Sequence, residues 1–320
     1  MTCKQKIQSS EAILKKYGKS IAGKTILITG VAADSIAGEL AVQLSAAGPA
    51  LLILSARSQA RVEPVDAKIK AQNPSVATRF LEMDLSNQSD VRRAAGSLSD
   101  VAKIDHVACV AGVMWPPYSK TVDGIESQFA TNYLANFQLV NLLLPQIKAA
   151  GPGSSIIVVA SSAVRNGKVN FDDVNFSDPS TYTPSTGYSQ SNAARVMFVK
   201  KLAQKLNDEK IRTYSVDPGA VRSGLQRHFT QETRAWIDDI RASGEKLRDL
   251  DGNEYDLPVW TSTSEGAATI ITGMVDPTIA DSNGAFLHNN AVADEELHSH
   301  IVEEENWDRL WELSEKLIAQ

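Results

Sequence analysis

Short apolar runs alternate with helix-patterned stretches along the chain. KTILITG (24–30) is an apolar run of strand length closed by glycine. IAGELAVQLSAAG (36–48) follows with helical spacing, then ALLILSA (50–56) as a strand. Residues 58–72 read as helix, ATRFLEMDL (77–85) as strand, VRRAAGSLSDV (91–101) as helix and HVACVAG (106–112) as strand. A long helix is expected within 122–149, a strand at SSIIVVASS (154–162), a helix from Gly187 to about Leu206 and a strand at IRTYSVDPG (211–219). Apolar strands separated by amphipathic helices predict an α/β doubly wound parallel sheet with helices on both faces. With no internal repeat, low-complexity tract or linker, residues 1–320 read as one domain with an N-terminal extension at 1–20.

The chain's 320 residues, 43% hydrophobic and 22% charged, are ample for a core. A net charge of −6 gives no nucleic-acid footprint. The N-terminus has no signal-peptide core, and no apolar run approaches the length of a membrane span. Cys3 and Cys109, far apart, make neither a disulfide framework nor a metal spacing. A reducing, cytoplasmic setting is the expectation. His298 and His300 beside Glu303–Glu305 match no standard ligand pattern, so they read as a solvated acidic tail and no metal is expected.

The first strand runs into TGVAADSIAGE (29–39). A strand, a small-residue turn and a helix N-terminus can face a dinucleotide pyrophosphate, with Gly30, Ser35 and Ile36 at the contact. The stretch is glycine-poor, and a plain strand–helix turn would read the same way.

Four further stretches occur in a telling order: PYSKTVDGIESQFATNYLANFQLVNLLLP (117–145), SIIVVASS (155–162), FDDVNFSD followed by YSQS (171–191), and SVDPGAVRSGLQRH (215–228). Together with EGAATIITGMVDPTIADSNGAFL (265–287), they resemble a short-chain dehydrogenase/reductase, similar to fungal members related to retinol dehydrogenases. The resemblance spans roughly 20–315 and implies a Rossmann-type fold. It also implies roles by position. Asn132 would kink its helix and hold a proton-relay water. Ser162 would hydrogen-bond the substrate oxygen, and Tyr188 would be the catalytic acid or base. Ala111 and Gly112 remain of the motif after the fourth strand. Pro218, Gly219, Val221 and Ser223 would contact the nicotinamide end, and Asp84 and Leu85 the adenine. Arg57 would select a 2′-phosphate, hence NADP(H), because a guanidinium pairs with phosphate in bidentate fashion. A role in secondary metabolism and a homodimer or homotetramer, packed through the fourth and fifth helices, are implied the same way.

The departures cluster at the cofactor. Asp34, Ser35 and Ala37 stand where the family has glycines, although Gly38 would serve if the alignment slips by one. Asp34 opposes a phosphate if it faces one, and is harmless if it caps the next helix. Cys109 and Val110 replace two asparagines, and buried cysteine reads as core. Asn192 falls where the family has the lysine that holds the ribose and lowers the tyrosine pKa. Without that charge, Tyr188 is expected nearer ~10, a proton donor more than a base. Asn192 is still expected to reach a ribose hydroxyl. Arg195, three residues further along and two turns from Tyr188, reads as an exposed or structural arginine, with a remote charge for Tyr188 as the alternative.

Residues 224–261 read as a substrate-covering insertion. Leu225, Phe229, Trp236 and Trp260, with Trp115 beside the fourth strand's end, are the expected lining of an apolar pocket for a lipophilic small molecule. Two functions follow. One is an NADP(H)-dependent oxidoreductase working mainly as a carbonyl reductase. The other is a non-redox isomerase, cyclase or dehydratase using Tyr188 and Ser162 as acid or hydrogen-bond groups, with the cofactor site impaired or structural.

Overall fold

The computed structural model describes residues 8–319; Cys3 lies outside them. In chain order, α1 is Ser10–Tyr17, β1 Thr25–Thr29, α2 Ile36–Ser45, β2 Leu51–Ala56, α3 Gln59–Gln72, β3 Ala77–Glu82 and α4 Gln88–Gly96. Then come β4 His106–Cys109, a π-helical turn Phe129–Leu134 running into α5 Ala135–Ala150, β5 Ser155–Val159, α6 Pro184–Lys205 and β6 Arg212–Asp217. The insertion holds β7 Ala220–Val221, α7 Gln231–Ser243, β8 Leu247–Arg248, β9 Glu254–Tyr255 and β10 Trp260–Thr261. The chain ends with α8 Thr263–Val275, β11 Phe286–His288, β12 Ala291–Val292, α9 Ser299–Val302 and α10 Glu304–Ile318.

The main sheet runs β12-β11-β6-β5-β4-β1-β2-β3. All its pairings are parallel except β11 with β12. This is the Rossmann-type order 3-2-1-4-5-6 with an added edge. Successive side chains of a strand face opposite sides. Ile26, Ile28, Leu52 and Leu54 therefore join the core beneath α2, α3 and α8. Leu27, Ile53, Val107 and Ile156 join the core that α4, α5, α6 and α10 cover. The strand order reverses between β1 and β4, which opens a crevice at the strands' carboxyl ends where such sheets bind ligands.

The helix expected within 122–149 is present from the π-turn onward; before it Thr121–Gly124 form a tight turn with Gly124 at φ 76°. Two expectations need correction. α4 starts at Gln88, where the Asn87 side chain caps the backbone, and stops at Gly96. Residues 298–318 are no solvated tail. His298 is buried, its Nε2 hydrogen-bonded to the carbonyls of Val164 and Gly167, and Trp311 packs edge-on against Phe137 at 4.9 Å. Of the N-terminal extension, Ile13 joins the core, and the Ser10 hydroxyl donates to the Ser264 carbonyl at 2.8 Å, which fixes α1 on α8.

Candidate active site

The turn after β1 is built by steric exclusion. Gly30 sits at φ 82°, and a Cβ there would lie 2.8 Å from the Ala111 Cα. A Cβ on Gly38 would lie 2.1 Å from the Ala32 carbonyl oxygen, so only glycine lets α2 enter this close to the turn. Ser35 caps α2: its Oγ accepts from the Gly38 N–H at 3.0 Å and donates to the Ala32 carbonyl at 2.8 Å. Asp34 is therefore not the cap. Its carboxylate lies against Gly224, where a Cβ would be 2.6 Å from Oδ2, and it faces the charge of Arg227. Gly30 and Gly38 thus let the glycine-poor turn pack closely on the β4 loop and on α2, whose capped N-terminus brings Ile36 to the cavity. These residues fit a dinucleotide pyrophosphate.

Arg57 follows β2 and is exposed. Arg227, brought over by the insertion, has its pKa lowered by desolvation and by the charges of Arg57 and Arg61. Three guanidiniums so gathered present a site for an anion. Asp84 and Leu85 follow β3 on the same side, with Asp84 Oδ1 accepting from the Ser86 N–H at 2.9 Å. The sequence reading found Arg57 and missed its two companions, which the insertion and α3 supply.

A cavity of about 530 Å³ opens beyond the crevice. Ile36, Gly112, Pro218, Gly219, Val221 and Ser223 line its cofactor side. Trp115, Leu225, Phe229, Trp236 and Trp260 line the other, joined by Tyr255 and Leu257. Trp115 and Phe229 pack at 5.1 Å, which ties the insertion to the β4 loop. Trp115 is held at φ 57°, a strained conformation for a bulky residue, by its N–H bond to Gln128 Oε1 at 3.0 Å. Arg241 stacks on Trp260 at 4.4 Å.

Tyr188 opens onto this cavity from the first turns of α6 and is 7% exposed. Of Ser161 and Ser162, Ser161 is the one whose hydroxyl lowers the phenol's pKa. Ser162 lines the same cavity as its neighbour. Burial raises the Tyr188 pKa above its ordinary 10, against the lowering influence of Arg195, Ser161 and Asn192; Asp217 raises it further. The expectation that it stays near its reference value is corrected by this burial.

Asn132 lies inside the π-turn, where α5's register slips. Its side chain clamps Val113, accepting from the N–H at 2.7 Å and donating to the carbonyl at 2.9 Å, and it donates to Ser191 Oγ at 3.0 Å. Asn192 is fully buried, and its Nδ2 donates to the Tyr188 carbonyl at 2.8 Å. Its Oδ1 accepts from Arg195 Nη1 at 3.3 Å, so the amide is held within α6 and is not on the cavity wall.

Of the two readings of Arg195, exposed or structural, the exposed one is corrected. Arg195 is 3% exposed and reaches the cavity wall. Its Nη2 donates to the Ala111 carbonyl at 2.7 Å and its Nε to the Asn132 carbonyl at 2.5 Å. Residues 188, 192 and 195 share one helix face, the spacing that signals such a contact.

A doubly wound sheet whose switch-point crevice joins a tyrosine–serine pair defines a nucleotide-linked enzyme fold. The chain matches the short chain dehydrogenase family over residues 24–234 and belongs to that family. It is 31% identical over 311 residues to retinol dehydrogenase 14 of Mus musculus, covering 93% of this chain and 86% of that protein. Among solved structures, an uncharacterized protein from Mycobacterium Paratuberculosis superposes with a TM-score of 0.68 at 25% identity, covering 94% of this chain and 95% of that one. The Pseudomonas aeruginosa RhlG/NADP active-site complex gives a TM-score of 0.63 at 22% identity, covering 84% and 95%.

Proposed function

We propose that the protein is an NADP(H)-dependent reductase of a lipophilic carbonyl compound. The observation that carries the reading is that the Tyr188 phenol shares with Ser161 and Ser162 the wall of a cavity whose far side is tryptophan and phenylalanine. A buried neutral phenol donates a hydrogen bond to a carbonyl oxygen and yields its proton as the oxygen becomes an alkoxide. A reduced nicotinamide, when bound, supplies the hydride to the carbonyl carbon. Ser161 and Ser162 are the hydroxyls placed to hold the oxygen, and Asn132 fixes the loop that bears Val113. Asp84 and Leu85 would flank the adenine.

Arg57, Arg61 and Arg227 support NADP(H) over NAD(H), since a 2′-phosphate would balance three gathered cations. The relatives named retinol dehydrogenases and the NADP complex of a neighbour agree with this reading. The non-redox alternative rested on the changes at 34, 37, 109, 110 and 192. Arg195 beside Tyr188, and Gly38 against Ala32, weigh against it at 192 and in the turn. Among the described residues no helix is long and apolar enough to cross a membrane. A cytoplasmic location and self-association through α5, where Leu142 is exposed, and α6 belong to the same proposal.

The test is titration of NADPH, NADP⁺ and NADH against the protein, followed by thermal shift and intrinsic fluorescence. NADPH consumption with a panel of apolar aldehydes and ketones completes it. Saturable NADPH binding with turnover is expected; no binding of either reduced cofactor overturns the reading.

A further inference from the structure

Arg195 is a buried cation without a carboxylate. Among the described residues no Asp or Glu pairs with it, and its partners are two backbone carbonyls, those of Ala111 and Asn132, and the Asn192 amide oxygen. Burying an unpaired charge is costly, and the fold spends several devices on it. The π-turn carries the Asn132 carbonyl that takes Nε, while Gly112 leaves the space: a Cβ there would be 3.1 Å from Nη2. Of five guanidinium N–H donors, three are engaged, and the side chain still lines the cavity. The anion-forming groups that feel it are the Tyr188 phenol, on its own helix, and the Cys109 thiol at the end of β4. Burial holds that thiol up at about 12, so it stays neutral. From β6, the buried Asp217 also faces Tyr188, with the opposite sign.

We propose that Arg195 supplies at Tyr188 the positive charge that the family's lysine would supply from position 192. The charge is then relocated three residues along α6. Asn192 links the two by accepting from the guanidinium and donating to the Tyr188 carbonyl. Nε also occupies the Asn132 carbonyl directly, where the family resemblance implies a relay water, so the lysine and the water are replaced by a single planar group. Arg195 acts through Tyr188 and is a positioning and charge-tuning residue. The consequence is a phenol easier to ionise than its burial alone allows.

This inference rests on Tyr188 being the acid of the proposed reductase, so the test includes a readout that needs no turnover. Tyrosinate absorbance is titrated in the wild type, Arg195→Met, Arg195→Lys and Asn192→Lys/Arg195→Asn, with Tyr188→Phe subtracted to isolate the one phenol. Arg195→Met is expected to raise the Tyr188 transition by ~1 unit or more, as loss of an adjacent opposite charge does. Alcohol oxidation at fixed pH should fall about ten-fold or more with it, carbonyl reduction less. Arg195→Lys and the double variant should keep the transition near that of the wild type. A folded Arg195→Met protein with an unmoved transition and pH profile overturns the proposal. If Arg195→Met does not fold, the double variant decides: a transition near the wild type supports the relocated charge, and one raised by ~1 unit or more overturns it. Absence of turnover in every protein defeats the reductase reading alone, because the titration still reports on Arg195.

Discussion

Ser161, not Ser162, is the serine whose hydroxyl eases ionisation of the Tyr188 phenol, and both serines line the cavity onto which that phenol opens. Neighbouring residues at a strand end point in different directions, so one hydroxyl, not two, can share the phenol's proton. Ser161 is also the N-cap of the short helical turn that follows, its Oγ accepting from the Ala163 N–H at 3.2 Å. That bond fixes the hydroxyl's position. Ser161→Ala should therefore slow carbonyl reduction by about 10–100-fold, the worth of one hydrogen bond to developing charge. Ser162→Ala should cost less. Steady-state kcat for the two variants checks this, and the reverse order would move the oxygen-holding role to Ser162.

The raised Tyr188 pKa sets the pH dependence in each direction. Reduction uses the neutral phenol, so its rate should stay level through neutrality and fall only as pH passes a value above 10. Oxidation needs the phenolate, so it should still be rising at pH 10. Profiles of kcat/KM in both directions test this. A plateau of the oxidation limb well below 10 would mean that Arg195 outweighs burial. Tyr188→Phe should abolish both limbs while leaving NADPH binding within a few-fold.

Arg227 reaches from the insertion to the charges of Arg57 and Arg61, so cofactor selection is shared by distant parts of the chain. Arg57→Ala and Arg227→Ala should each weaken NADPH binding by about ten-fold or more and leave NADH nearly unchanged, since a charge-assisted contact is worth ~1.5–3 kcal/mol. The NADPH constants should also lose part of their salt dependence. Equal losses for the two cofactors would place these arginines away from the 2′-phosphate.

Gly38 lies within α2, where alanine ordinarily favours helix by ~1 kcal/mol. Here the sign should invert. The added Cβ would sit 2.1 Å from the Ala32 oxygen, a backbone atom held by the turn. Gly38→Ala should destabilise by about 1–3 kcal/mol. Its dinucleotide affinity should fall as well, because α2 must withdraw from the turn. Thermal unfolding with and without NADPH measures both.

Much of the sheet was legible because buried parallel strands are continuous apolar runs; β1, β2, β5 and β6 fall inside the segments so marked. The two-residue strands of the insertion carry no such run, and β10 exists only because Trp260 pairs with Ala220. The convergence of Trp115, Phe229, Trp236 and Trp260 on one cavity was readable, since bulky apolar residues in a polar insertion need a surface to cover. The influence of Ser161 on Tyr188 was not, because it depends on how β5 turns into the following helix. The burial of Arg195 left a usable signal. Its seven-residue offset from Tyr188 returns it to the same helix face, but a charge two turns away looks remote until the π-turn brings the Asn132 carbonyl to meet it.

Restoring the family's lysine alone gives the sharpest contrast. On the sequence, Asn192→Lys looks like a repair that should improve oxidation. In the structure the Asn192 Oδ1 is 3.3 Å from Arg195 Nη1, and both side chains are buried. A lysine there would place a second cation against the guanidinium, where two like charges ~4 Å apart repel by about 1–4 kcal/mol at aqueous to surface-like dielectric. It would also remove the acceptor that Nη1 uses. Asn192→Lys should lower the unfolding midpoint and give no gain in oxidation. The paired change Asn192→Lys/Arg195→Asn should recover both stability and activity. A double-mutant cycle on thermal stability and on kcat/KM measures that coupling. Additive effects of the two substitutions would mean that the charges do not share one site.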